Sequence, residues 1–168
     1  AKLDSGFLKL NDYPQAVEDI HLDLRVSAKG GDWRNTMFDF KKLQVRSKNS
    51  QLKLNLLYGL MDPHPVDGNI QAKVLLSDIK EIAPIPYVSK LEGLLEAQLE
   101  SKGTFIADTR TYPPIQGKVT VSDGLIQTPY YSKPIEAIQL GMYFNAKSPS
   151  PKDLSVQIPK LHWEFEGK

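Results

Sequence analysis

The chain has 168 residues, of which 40% are hydrophobic and 24% are charged, proportions typical of one globular domain and unlike those of a disordered or membrane-embedded chain. Lysine and arginine number 21 against 20 aspartates and glutamates, without clustering, which argues against a nucleic-acid-binding protein. Cysteine is absent, so disulfides, thiolate nucleophiles and cysteine-ligated zinc are excluded. No segment has the roughly 18 to 20 consecutive apolar residues that span a bilayer.

Apolar and polar residues alternate with a period of two through most of the chain, which predicts long, half-buried β-strands. After Ile20 to Ala28 comes a rougher strand, in which Leu43 and Val45 continue the pattern of Phe38 and Phe40 only after a shift of face. Because turn-forming Gly, Pro, Asn, Asp and Ser separate the segments, we expect an all-β, twisted antiparallel meander of about ten strands. The remaining alternating segments are Leu52 to Leu56, Gly68 to Leu76, Leu91 to Leu99, Ile115 to Val121 and Ile138 to Ala146.

One segment, residues 77–90, does not follow this pattern. It begins like a short helix at Asp78 to Ile82 and is then interrupted by two prolines, which end a helix. We therefore interpret it as a helical and proline-rich connection between two parts of the sheet. Its apolar residues Ile82, Ile85 and Tyr87 are candidates for a lid across the apolar face.

The chain also aligns with itself. Residues 6–47 align without a gap on residues 124–165, at an offset of 118, and nine of these 42 positions are identical. The apolar positions are kept in both copies, for example in the pairs Ile20/Ile138 and Leu22/Leu140. This similarity predicts an internal repeat with a unit of about five strands plus the connection.

A sheet with one apolar face needs something to cover that face. Two arrangements are open at this point. In the first, the sheet folds over on itself into a closed β-sandwich, a structural or adhesive module that binds another protein. In the second, it curls into an open groove whose apolar floor is covered by acyl chains, each buried CH₂ contributing about 0.8 kcal/mol.

The sequence GKVTVSDGLIQTPYYSKPIEAIQLGMYFNAKSP, Gly117 to Pro149, resembles the C-terminal region of AsmA-like proteins. There a hairpin with an Asp-Gly turn, here Asp123 and Gly124, precedes a tyrosine and proline stretch and another apolar strand. The segments Val66 to Ile79 and Lys90 to Gly103 are similar to further strands of the family. These strand-and-turn patterns contain no catalytic signature.

The resemblance implies repeating β-groove units like those of TamB and the bridge-like lipid-transfer proteins. It implies a periplasmic piece of a longer protein that is anchored in the inner membrane of a Gram-negative bacterium. The function it implies is noncatalytic phospholipid binding or transfer in outer-membrane assembly or lipid homeostasis. The partners it implies are phospholipid acyl chains, other repeats of the same longer chain and envelope proteins.

The predicted groove lining consists of the inward alternates of the strands, and no cofactor is expected. Neither a metal nor an enzymatic site is predicted, because His21, His64 and His162 share no short spacing and no serine has a nucleophile-elbow setting. The predicted lining residues are Ile20, Leu22, Leu24, Val26, Ile70, Val74, Leu95, Leu99, Val119, Val121, Ile138, Leu140, Met142 and Phe144.

Overall fold

The computed structural model describes residues 1–8, 17–47, 49–82, 85–146 and 154–165. Within them, nine strands follow one another in a single antiparallel sheet, and each strand pairs with the next in the chain. The predicted all-β antiparallel meander is confirmed, with nine strands where about ten were expected. The strands are β1 Lys2–Leu8, β2 Val17–Ala28, β3 Thr36–Arg46, β4 Gln51–Gly59, β5 His64–Leu75, β6 Lys90–Phe105, β7 Ile115–Gln127, β8 Ile135–Ala146 and β9 Leu154–Phe165.

The sheet is open. Its two edge strands, β1 and β9, each pair with one neighbour only, and no second layer of strands covers either face within the described residues. The strands therefore form a single layer, and the closed sandwich is wrong as a description of the fold.

The connection after β5 contains one helix, α1, Leu76–Ile82, which begins two residues before the predicted start and contacts β5 and β6. The carboxylate of Asp78 in α1 accepts hydrogen bonds from the hydroxyl of Ser47, at 3.2 Å, and from that of Ser50. Ser50 Oγ in turn accepts the backbone N–H of Leu75 at 3.0 Å. These bonds tie the turn between β3 and β4 to the start of α1, and Asp78 is only 5% exposed.

Bulges or similar irregularities shift the register in six of the eight strand pairs. In β3, Lys41 and Lys42 separate Phe40, which pairs with Leu56, from Leu43, which pairs with Leu54. The extra residue keeps Phe40 and Leu43 on the same face although they are three positions apart. This bulge is the physical reason for the shift of face that the sequence shows in this strand.

The pairing of β7, β8 and β9 repeats that of β1, β2 and β3 at an offset of 118 residues. Leu3↔Leu22 corresponds to Val121↔Leu140, and Leu22↔Leu43 to Leu140↔Leu161. The period from β1 to its equivalent β7 is six strands, where the sequence suggested a unit of about five. An even number is required because β1 and β7 must run in the same direction in an antiparallel sheet.

Candidate functional site: an uncovered apolar face

An unbroken row of apolar residues crosses the whole sheet. Residues directly opposite each other on neighbouring strands lie on the same face, so the register places one residue of each strand in this row. Only the seventh strand, β7, differs in character, since Gly117 contributes no side chain there. The row comprises Leu3, Leu22, Leu43, Leu54, Ile70, Leu99, Gly117, Phe144 and Val156.

The chain neighbours of this row form a second row on the opposite face, and there every side chain from β2 to β9 is polar or carries a polar tip. Consecutive residues of a strand point to opposite faces, so the two rows separate apolar from polar surface across eight strands. We call the two surfaces the apolar face and the polar face. The polar row comprises His21, Gln44, Lys53, Gln71, Gln98, Lys118, Tyr143 and Gln157.

All of the predicted lining residues lie on the apolar face. Leu22, Ile70, Leu99 and Phe144 belong to the central row, and the others follow at every second position along β2, β5, β6, β7 and β8 or directly opposite such positions. One neighbouring row contains Ala97, Val119 and Met142. The row beyond it contains Val74, Leu95, Val121 and Leu140.

The apolar face has no protein cover within the described residues, where no hydrophobic side chain is buried. Ile70, in the middle strand of the sheet, is 38% exposed, and Val26 is 53% exposed. A single-layer sheet leaves each apolar side chain with neighbours beside it and none above it. The face is therefore a large contiguous apolar surface, a feature that marks binding sites on folded proteins.

Aromatic side chains lie at both ends of the apolar face. At one end the rings of Tyr58, His64, Phe105 and Tyr112 follow one another at centroid distances of 5.9, 5.8 and 5.4 Å. The alternation places Tyr58, His64 and Phe105 on the apolar face, because Tyr58 pairs with Val66 and His64 pairs with Phe105. Rings of this kind suit a boundary between apolar surface and water. The predicted lining did not include Tyr58, His64 or Phe105, although the alternation itself extends to these positions.

At the other end, Tyr131 contacts Phe165 edge-on at 6.0 Å, and Tyr87 lies 5.8 Å from Tyr130. Of the lid candidates, Tyr87 is 69% exposed and Ile85 is 38% exposed, while the side chain of Ile82 lies outside the described part. Ser89 N–H donates to the carbonyl of Gln127 at 2.8 Å, so the end of the connection is fixed to the last residue of β7. Tyr87 of the connection and Tyr130 and Tyr131 of the turn after β7 thus lie together at this end of the sheet.

Two cross-strand ion pairs lie on the polar face. Lys73 and Glu96 form an ion pair at 3.3 Å across β5 and β6, and Lys102 donates to Asp67 at 2.9 Å. The hydrogen bond to the Asp67 carboxylate, and then its negative charge, raise the pKa of Lys102 above its usual value. Both pairs are solvent-exposed, so they are worth little to stability and keep the polar face hydrated.

A depression of about 560 Å³ also lies on the polar face, over β5 to β9. Its lining includes the amides of Asn69, Gln98 and Gln116, the carboxylate of Glu100 and the ring of Tyr143. These polar groups keep the floor of the depression in contact with water. The surface suited to an apolar ligand is the one on the other side of the sheet.

The histidines lie apart, each with its own contacts. His21 Nε2 is 2.6 Å from Asp19 Oδ1, His64 stacks between Tyr58 and Phe105, and His162 is 3.4 Å from Glu164. In the part of the chain that the structure describes, no group of three or more His, Asp or Glu side chains is arranged to hold a metal ion.

Among the described residues, no helix has the length and apolar character needed to cross a membrane. Comparisons of the chain with protein-family models, with curated proteins and with solved structures found no match.

Proposed function

We propose that the apolar face binds the acyl chains of phospholipids and that the protein carries or conducts these lipids without catalysing a reaction. The observation that supports this most is the apolar row that crosses all nine strands while no hydrophobic side chain of the described residues is buried. Such a surface is costly in water, and a ligand made of hydrocarbon removes that cost.

The dimensions suit acyl chains. Nine strands about 4.8 Å apart give an apolar row of about 38 Å. A bilayer hydrocarbon core of about 30 Å holds two acyl chains end to end, so one chain extends about 15 Å. The row is therefore long enough for two chains in line or for one chain to shift along it.

The energetics favour a passive mechanism. Each CH₂ removed from water contributes about 0.8 kcal/mol, so a chain of ~16 carbons needs on the order of 10 kcal/mol of apolar contact to leave a bilayer. Leu, Ile, Val, Met and Phe side chains in parallel rows supply such contact at every position along the groove. Headgroups remain in water, beside the aromatic rings at the ends of the apolar face.

The cellular setting follows from the resemblance of Gly117 to Pro149 to AsmA-like proteins. On that basis the chain works in the periplasm, as part of a longer protein anchored in the inner membrane, and contributes to outer-membrane assembly or lipid homeostasis. Its partners in that setting are phospholipids, other repeats of the same longer chain and envelope proteins.

The test is native mass spectrometry of the purified chain, with organic extraction and identification of bound lipid, before and after incubation with phosphatidylethanolamine and phosphatidylglycerol vesicles. The variant Ile70→Asp places a charge on the apolar face, and Gln71→Asp places the same charge on the polar face, one position away. Because Ile70 is already 38% exposed, Ile70→Asp is compatible with folding, which circular dichroism checks.

We expect near-stoichiometric phospholipid on the parent chain and on Gln71→Asp, and little on folded Ile70→Asp. Equal lipid on both folded variants would contradict binding at the apolar face. A lipid-free parent chain that takes up nothing from the vesicles would contradict lipid binding altogether and favour a structural module that binds protein.

A further inference from the structure

Strand β9 is equivalent to β3. The edge of β3 that pairs with β4 corresponds to an edge of β9 that has no neighbouring strand among the described residues. At the offset of 118 residues, Val156, Ile158, Leu161 and Trp163 of β9 correspond to Phe38, Phe40, Leu43 and Val45 of β3. Strand β9 also pairs with β8 in the register in which β3 pairs with β2. In β3, the other edge is paired with β4.

The apolar side chains of β9 are more exposed than those of β3, as expected for a strand that has no equivalent of β4 beside it. In β3 the four apolar side chains are only partly exposed, because β4 lies beside them. In β9 the corresponding side chains are more open, with Ile158 52%, Leu161 54% and Trp163 55% exposed. A long, apolar edge strand with free backbone groups is the type of surface that binds an added strand.

Strands β3 and β9 both contain the bulge. It restricts the kind of strand that can pair beside them. In β3 it is at Lys41 and Lys42, so that Phe40 and Leu43, three positions apart, face Leu56 and Leu54, two positions apart. The equivalent step in β9 runs from Ile158 to Leu161 and contains Pro159, a residue that sheets tolerate at bulges. A regular strand without a bulge therefore matches this edge.

We propose that the edge of β9 that no described strand occupies is an acceptor site for a further extended polypeptide segment that adds antiparallel to the sheet. The segment carries large apolar side chains at every second position, as β4 does with Leu52, Leu54, Leu56 and Tyr58. These positions face Trp163, Leu161, Ile158 and Val156 in that order. The added strand would lengthen each apolar row of the sheet by one residue. This holds whatever ligand the apolar face binds.

A second copy of β9 fits this edge less well than a β4-like strand. Two antiparallel β9 strands would each bring a bulge to the pairing, whereas both neighbours of β3 meet its bulge with a regular strand. The proposed occupant is therefore a regular, β4-like strand.

The absence of cysteine allows a direct test of this register. The protein variant Leu161→Cys is mixed under mild oxidation with a synthetic peptide of the β4 sequence, QLKLNLLYG, flanked by lysines for solubility. One peptide carries the change Leu54→Cys, and the control peptide carries Asn55→Cys, which points to the other face. Leu161 is 54% exposed, so the protein variant is expected to fold.

We expect the Leu54→Cys peptide to form a disulfide with the protein at least about tenfold faster than the control peptide, because only its Cβ lies within bridging distance. Labelled parent peptide should also bind the cysteine-free chain in fluorescence anisotropy, and a peptide of the same composition without the alternation should not. Equal rates for the two cysteine peptides, no peptide binding, or a disulfide between two protein chains that excludes the peptide would each overturn the proposal.

Discussion

Gly6 and Gly124 have the same surroundings in two different pairs of strands. A Cβ on Gly6 would lie 3.2 Å from Ile20 Cβ, and a Cβ on Gly124 would lie 2.8 Å from Ile138 Cβ. In each case the preceding residue, Ser5 or Asp123, has a positive φ, 60° and 52° respectively. The two bulges are therefore the same device, built 118 residues apart. The turn expected at Asp123 and Gly124 is wrong, because both residues lie within β7 as this bulge.

This close approach predicts that Gly124→Ala lowers the free energy of unfolding by about 1–3 kcal/mol, the range of overpacking changes. The matched control is Gly141→Ala in β8, because its Cβ would meet nothing nearer than Lys160 Cβ at 3.7 Å. That control is expected to change stability by less than about 1 kcal/mol. Urea unfolding of both variants checks this, and equal losses would contradict the role of the bulge contact.

The bulge in β8 places an alanine, Ala137, in the left-handed backbone region, which disfavours alanine. Ala137 has φ 51°, where its counterpart Asp19 has φ 54°. The left-handed region costs an alanine about 1–2 kcal/mol, and asparagine tolerates it better. We expect Ala137→Asn to raise the free energy of unfolding by about 0.5–1 kcal/mol.

The control for this change is Ala28→Asn, because Ala28 is an exposed strand residue with extended backbone angles, φ −123° and ψ 115°. Asparagine is unfavourable in an extended strand, so no gain is expected there. A gain at position 28, or a loss at position 137, would count against strain at the bulge.

Asp78 is the buried polar group that fixes α1 to the turn between β3 and β4. Removing its carboxylate leaves Ser47 and Ser50 without this acceptor, so Asp78→Ala is expected to cost about 1–3 kcal/mol. Asp67→Ala removes an exposed carboxylate that is bound to Lys102, and it should change stability far less because the pair is solvent-exposed. Thermal unfolding compares the two. A similar small loss for both would show that Asp78 does not fix the helix.

Salt should not release a ligand held on the apolar face. The central row contains no charged side chain, and salt screens only interactions between charges, with a Debye length that falls from about 10 Å at 0.1 M to about 3 Å at 1 M. We expect bound phospholipid to remain through a wash at high salt and to be removed by detergent. Release by salt alone would indicate that the headgroup is held by charge and that the acyl chains are not.

Much of the sheet was predictable from the sequence because alternation alone assigns a residue to a face. Leu95, Ala97 and Leu99 alternate with Glu96 and Gln98, and burial of the alternates follows the same order. The shift of face between Phe40 and Leu43 was also visible, since a bulge moves the apolar positions out of phase.

Other features depend on contacts between distant segments, which a pattern of two cannot specify. The burial of Asp78 results from hydrogen bonds to serines about 30 residues earlier. The six-strand period of the repeat could not be predicted, because β1 has to be recognised as a strand and its short sequence has only a weak alternation. The continuity of the central row depends on the register of every pair, and any single shift by one residue would have moved a strand's apolar side chains to the polar face.

The most direct test of the central claim is a single-cysteine scan of β6. Cysteine is placed in turn at positions 95, 96, 97, 98 and 99, labelled with an environment-sensitive fluorophore, and exposed to phospholipid with brominated acyl chains. If acyl chains bind the apolar face, the labels at Leu95, Ala97 and Leu99 are quenched and those at Glu96 and Gln98 are not. Uniform quenching, or none at any position, would contradict the account.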